Sequence, residues 1–286
     1  MLIVDGSNLA YRNFHVFEHL MNKHGYQTGM VYGFFNSLLP FSINYNQIII
    51  AWEGQNNWRN SIYPEYKRNR KEKEPEKIQA LKDVQELCDL IGLVQIRKSG
   101  FEADDVIAYL VKKFKKNIRI FSGDKDLLQL IDDGNNIGVI RPHPKHGLLE
   151  YTEKTVKEML GIPKQYISLF LSIVGDDNVK GVERWGKTTA SKIINNEDDP
   201  IEFIKHTFPE KYLIVKRNLE LIDLLKPKLE IESLSLNDIT LLKPDMYNLN
   251  KKLDEYEITA YSSKSLIESL YNLEFQNQCK SILISL

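Results

Sequence analysis

Nearly every apolar run in the first half of the chain closes on a carboxylate, and that pattern limits the folds open to it. LIVD ends at Asp5 and QIIIAWE at Glu53, the stretch VQIRKSGFEADD runs into Glu102, Asp104 and Asp105, and NIRIFSGDKD runs into Asp124 and Asp126. Short β-branched runs separated by helical patterns specify a parallel sheet, whose ligand crevice lies beyond the carboxyl ends of the strands. All seven acids are therefore expected at one sheet edge. Two like charges ~5 Å apart repel by roughly 3 kcal/mol at an effective dielectric of ~20, so the cluster calls for cations.

Helical spacing is expected over 9–22 and 29–39, and a strand over 47–52. After a basic loop it returns over 76–91, where Ile78, Leu81, Val84, Leu87, Cys88 and Ile91 share one face between Pro75 and Gly92. A strand at 93–96, a helix at 106–114 and a strand at 118–121 continue the alternation, with 137–140 and 148–151 as edge strands. The pattern predicts an α/β fold with helices on both faces of a parallel sheet. After about Tyr151 the strand signal gives way to helical patterns at 153–160, 164–174 and 187–195. Residues 1–151 are thus expected to form one domain and 152–286 a helical C-terminal region, whose last part, 200–286, carries no motif.

With 286 residues, 33.3 kDa and 42% hydrophobic side chains, the chain has material for one large or two modest domains. With a strand at Leu2, no charged leader is expected ahead of the fold, and no apolar run in the sequence approaches a membrane span. A monomer without a membrane partner is expected, in the cytoplasm or, for a viral protein, the host's cytoplasm. Cys88 and Cys279 lie in no metal-like or redox spacing and are expected to be reduced packing residues. A net charge of −1 decides nothing about nucleic acid, because a bound anion responds to local charge. Residues 66–77 hold six basic and three acidic side chains, and Lys112, Lys113, Lys115 and Lys116 form a second basic group. On its own such a run is a solvated face.

The acids also have an ordinary explanation in part. Glu102, Asp104 and Asp105 open a helix, where capping and the helix dipole favour acids, and Asp124 and Asp126 precede LLQL in the same way. Capping gives no reason for Asp5 and Glu53 to close strands. Together the acids point to Mg²⁺ or Mn²⁺ held by oxygen ligands. His143 and His146, in a Pro/Gly turn without nearby thiols, read as a surface turn.

Six stretches, in order, resemble the 5′-nucleases, the family of the 5′→3′ exonuclease domain of bacterial DNA polymerase I and of bacteriophage and cellular flap endonucleases. They are VDGSNLAYR at 4–12, GYQTGMVYGFFNSL at 25–38, YPEYKRNR at 63–70, GFEADDVIAYL at 100–110, SGDKDLLQL at 122–130 and VGDDNVKGVERWGKTTASKI at 174–193. The resemblance covers about 1–195 and implies a PIN-like α/β domain followed by a helix–three-turn–helix DNA-binding module at about 152–196. It implies metal-dependent hydrolysis of phosphodiesters in DNA with a 5′ end or flap. Asp5, Glu102, Asp104, Asp105, Asp124 and Asp126 match the family's metal-binding acids, and Glu53 stands where the family usually has Asp. The implied chemistry uses two cations, which activate water near neutral pH and screen charge on the phosphate and the leaving oxygen. In one division Asp5, Glu53, Glu102 and Asp104 serve one ion, and Asp105, Asp124 and Asp126 lean toward the other.

By the same resemblance YPEYKRNR begins a basic helical arch, spanning about 63–92, over the active site. Lys67 and Arg70 are then expected at the scissile phosphate, Tyr66 against a base, and Arg59, after Trp58, on DNA or paired with an acid. GVERWGKTTASKII resembles the hairpin of the DNA-binding module, with Gly181, Arg184, Gly186 and Lys187 as its DNA contacts and a K⁺ ion as an added expectation. The usual Gly-hydrophobic-Gly reads Arg184-Trp185-Gly186 here. The family spaces two further aspartates by two residues, whereas Asp176 and Asp177 are adjacent. That adjacency leaves two readings, both on one ion or only one. A structure-specific 5′-nuclease is the expected function. The alternatives are a ribonuclease built on the same PIN-like acids and a catalytically impaired protein that binds DNA junctions.

Overall fold

The structure, a computed structural model, describes residues 1–68, 74–143, 145–176, 178–225 and 234–284. Its centre is a seven-stranded sheet in the order β6-β5-β4-β1-β2-β3-β7. β1 (Leu2–Asp5) lies between β2 (Ile48–Trp52) and β4 (Ile118–Phe121), both parallel to it, with β3 (Val94–Arg97) and β5 (Ile137–His143) parallel outside them. Two antiparallel strands, β6 (Gly147–Tyr151) on β5 and β7 (Ile239–Thr240) on β3, close the edges. The sheet is thus parallel at its core and mixed at its rims. Among the described strands, β7, two residues long, carried no signal in the sequence.

Period-two alternation divides the sheet's side chains between two cores. Ile3, Ile49, Val94, Ile96, Ile118 and Ile120 face one side, where α5 (Ala103–Phe114) packs through Val106, Ile107 and Leu110. Leu2, Val4, Ile48, Ile50 and Trp52 face the other, against α1 (Gly6–Val16), α2 (Gly29–Ser42) and α4 (Pro75–Ile91). The one-turn α3 (Arg59–Ile62) follows β2. α4 starts at Pro75 and stops at Gly92, whose φ of 80° suits a residue without Cβ. α5 begins three residues before the expected 106, because Glu102 caps it reciprocally with Asp105. α1 is shorter than expected: a small hairpin, bridged at Met21 and Gln27, replaces its last turns.

The chain passes from β1 to β2 and β3 on one side, then crosses to β4 and β5 on the other. The gap between β1 and β4 is therefore a topological switch point, where loops leave in opposite directions and a crevice opens. Beyond β6 come α6 (Glu153–Leu160), α7 (Ile167–Val174), α8 (Lys187–Asn196), α9 (Pro200–Thr207) and α10 (Pro209–Ile222). α11 (Met246–Glu255) and α12 (Ser263–Leu270) pack on α4 and α2, and α13 (Leu273–Ile284) reaches α5 through Phe275 and Phe114. Among the described residues no helix is long and apolar enough to cross a membrane. Cys88 and Cys279 are both buried and free.

Candidate active site

Acids from five separate places in the sequence meet at the switch point. Asp5 is the last residue of β1, Glu53 follows β2, Glu102 and Asp104 sit at the start of α5, Asp124 and Asp126 follow β4, and Asp176 follows α7. Glu102, Asp104, Asp124, Asp126 and Asp176 line one small crevice together with Arg59, Tyr66, Lys67 and Asn178. Asp5 lies near Asp124 and Glu53 and accepts hydrogen bonds from the Ser122 hydroxyl at 2.8 Å and the Asn8 amide at 3.0 Å. Burial pushes the Asp5 carboxyl up to about 7, with Asp124 and Glu53 adding repulsion against those two bonds. Burial also pushes Asp126 up to about 7, helped by Asp124 and Asp176, and holds Asp104 well above the usual carboxylate range despite Arg59. In all three, loss of water around the carboxyl is the main cause, and neighbouring acids add to it.

The donor set is all oxygen, the kind that hard divalent cations take. Among the described residues no three carboxylates are gathered closely enough to form a ready coordination cage. Lys67 stands among them instead. Its ammonium bonds Glu102 and lies 3.5 Å from Glu53 Oε1. Its backbone has φ 57°, a left-handed conformation uncommon for a residue with a side chain and frequent where function fixes a position.

Three expected roles change. Arg59 is 2% exposed, so it does not face DNA. Its guanidinium holds Asp105 with both ends, Nη1 to Oδ2 at 2.6 Å and Nη2 to Oδ1 at 2.9 Å, and its Nε donates to the Leu221 carbonyl at 2.8 Å. Asp105 also accepts from the Trp58 indole at 3.2 Å and the Glu102 amide at 3.0 Å. Its oxygens are occupied inside the protein, which removes it from the set facing the crevice. Tyr66 likewise turns inward, 9% exposed, and donates to Glu102 Oε2 at 2.9 Å rather than presenting its ring to a base. Arg70 and Asp177 lie outside the described residues.

Sequence reasoning passed over several supporting groups. Asn8 accepts from the Gly123 amide at 2.9 Å, Ser122 bonds Asp5, and Arg141 donates to the Gly123 carbonyl at 2.8 Å, so three side chains fix the loop that carries Asp124 and Asp126. Asn8 and Ser122 lie within the quoted stretches and drew no attention beside the acids. Asn57, which bonds Glu102, had no signal at all.

At the hairpin, Gly181 is fixed by packing, since a Cβ there would stand 2.3 Å from the Val174 carbonyl oxygen. Trp185 is buried edge-on against Phe208 and beneath Lys211. Arg184, with φ 64° and a side chain 89% exposed, points to solvent beside the N-terminus of α8, where Gly186 is the cap and Lys187 the first residue. The turn thus presents Arg184, Gly186 and Lys187 outward.

Comparison with known proteins gives a consistent picture. The profile of the 5′-3′ exonuclease, N-terminal resolvase-like domain matches residues 1–161. A 5′-3′ exonuclease of Aquifex aeolicus is 32% identical over 299 aligned positions, covering 99% of each chain. Among solved structures, the T5 5′-exonuclease with bound zinc superposes with a TM-score of 0.66 at 21% identity over 99% of both chains. Flap endonuclease-1 from Methanococcus jannaschii gives 0.65 at 21% identity, over 97% of this chain and 93% of its own. On the match to more than half its length and the full-length relative, the chain belongs to the 5′-3′ exonuclease family with an N-terminal resolvase-like domain.

Proposed function

We propose that the protein is a structure-specific 5′-nuclease that hydrolyses DNA phosphodiesters near a 5′ end or flap, with Mg²⁺ or Mn²⁺ as cofactor. The observation that carries this reading is the meeting of Asp5, Glu53, Glu102, Asp104, Asp124, Asp126 and Asp176 at one switch point beside Lys67. Two divalent cations, when bound, supply the charge that activates water and offsets the negative charge growing on the phosphate.

The chain's own residues do the rest. The carboxylates fix the cations, with Asp5 held by Ser122 and by the start of α1 and Glu102 held by Tyr66 and Asn57. Lys67 is a mobile countercharge, bound to Glu102 and Glu53 until a phosphate draws its ammonium away. Arg184 and Lys187 meet the duplex backbone by charge, which positions DNA without reading its sequence. A K⁺ ion at the 181–187 turn belongs to the same proposal, and exchanging K⁺ for Na⁺ checks it. Arg70 and Asp177 are proposed contributors on the resemblance of their stretches. Residues 1–151 are proposed as the catalytic unit and about 152–196 as the DNA anchor, in a monomer working in the cytoplasm.

The test is product length from an end-labelled 5′-flap DNA, its RNA counterpart and a chelator control. Metal-dependent cutting of the DNA near the junction supports the proposal. Preferred cutting of RNA favours a ribonuclease, and tight flap binding without cleavage under any divalent ion favours a junction-binding protein.

A further inference from the structure

Asn218 is fully buried in α10, and its hydrogen bonds hold the loop that carries Asp176. Its amide donates to the Ser172 carbonyl at 2.8 Å and to the Lys180 carbonyl at 3.0 Å. Arg217 orients that side chain from outside, its guanidinium donating to Asn218 Oδ1 at 2.8 and 3.1 Å. Lys180 is the far end of the 175–181 loop. It bridges back to Gly175, and Asp176 sits between them with its carboxylate accepting from the Asn178 and Val179 amides at 2.8 Å each. The loop is narrow, since a Cβ on Gly175 would stand 2.2 Å from the Gly181 nitrogen, so moving its Lys180 end moves Asp176.

The helix that carries Asn218 is itself tied to the acid cluster. One turn further on, Arg59 binds the Leu221 carbonyl at 2.8 Å and Gln129, just after Asp126, binds the Ile222 carbonyl at 3.1 Å. α10 therefore connects the group that holds Asp105 to the loop that holds Asp176, within five residues from Asn218 to Ile222. The Lys180 carbonyl also accepts from Arg217 Nη2 at 3.5 Å, so the Asn218 bond at 3.0 Å is the shorter of the two that hold it.

We propose that Asn218 is a positioning residue: through the Lys180 carbonyl it sets where Asp176 stands relative to Asp126, and so governs affinity for a divalent cation at that end of the crevice. This rests on the metal-site reading given above. In such sites, losing an outer hydrogen bond costs about 10–100-fold in metal affinity.

The test is Mn²⁺ binding to the protein alone, followed by electron paramagnetic resonance of the free ion, with melting temperature recorded for each variant. Asn218→Ala is expected to weaken one class of Mn²⁺ site about tenfold or more and leave any other within about twofold. Asn218→Ser, which keeps a donor and serves as the folded variant should the alanine one fail to fold, is expected to fall between. Asp176→Asn should weaken the same class, and adding Asn218→Ala to it should weaken that class no further. A merely structural residue would lower the melting temperature without singling out one class. Unchanged Mn²⁺ binding in a folded Asn218 variant, or full additivity with Asp176→Asn, overturns the proposal alone. An unaltered protein that binds no Mn²⁺ overturns the metal reading with it.

Discussion

Arg59 and Asp105 form a two-pronged pair at 2.6 and 2.9 Å in the wall of the crevice, with Arg59 lining it and Asp105 behind. The pair ties the segment after β2 to the start of α5 and, through the Leu221 carbonyl, to the end of α10. Removing one partner of a buried pair leaves the other charged and unpaired, at a cost of about 3–5 kcal/mol. Arg59→Gln and Asp105→Asn are each expected to destabilise by that amount in urea denaturation, and the double variant by clearly less than the sum. Additive losses would mean that the two side chains act independently.

Metal-free stability is expected to fall as pH rises. The folded Asp5 carboxyl titrates at about 7 against 3.8 in its unperturbed state, a shift worth roughly 4 kcal/mol as an upper limit. Because the folded value is raised, its contribution is complete below about 4 and lost as pH climbs through about 7. Asp126 shifts in the same direction. In chelator, the melting temperature should drop between pH 5 and pH 8, and added Mg²⁺ should remove the drop by binding only the folded state. A melting temperature that is flat over this range in chelator would contradict the assignment.

Arg184 trades backbone ease for charge. At φ 64° an L-residue carries about 1 kcal/mol of strain that glycine does not. Arg184→Gly is expected to raise stability by up to that amount. It should also weaken flap binding and lower the slope of log affinity against log salt by about 1, as loss of one phosphate contact does. Both changes can be read from denaturation and from binding titrations in chelator. An unchanged salt slope would remove Arg184 from the DNA-facing surface.

Lys67→Gln is expected to lower the cleavage rate by about 10²-fold or more, the usual cost of losing one preorganised charge at a reacting phosphate. The same change leaves Glu102 and Glu53 without their ammonium, so the metal-free variant should melt lower, and Mg²⁺ should recover more of that loss than it adds to the unaltered protein. Single-turnover kinetics and melting curves check the two halves separately. A variant that cuts at the normal rate would place Lys67 outside the chemistry.

Strand-end acids were legible because a parallel sheet aligns its carboxyl ends, and the apolar runs before Asp5, Glu53 and Asp124 mark those ends without reference to anything distant. The start of α5 was harder to read. Three acids in one turn look alike in sequence, but consecutive helical positions are rotated by about 100°, so Asp104 reaches the crevice while Asp105 faces Arg59. That partner is separated by 46 residues, and no local pattern announces it. Tyr66 misled for a similar reason: a tyrosine beside basic residues suggests stacking, whereas its hydroxyl is held by Glu102, 36 residues away. β7 escaped notice because two residues are too few to show a period. Asn218 sat in a stretch without any motif, where only the destination of its hydrogen bonds distinguishes it.

The antiparallel pairing of β7 with β3 also bears on how the molecule is made. During synthesis β3 leaves the ribosome long before residues 239 and 240, and until they arrive its outer row of amides and carbonyls lacks that partner. Exposed edges of this kind invite pairing with other chains, and domains assemble as their segments emerge. A nascent chain stalled short of residue 239 is therefore expected to be the aggregation-prone species and the natural client of a chaperone that shields strand edges.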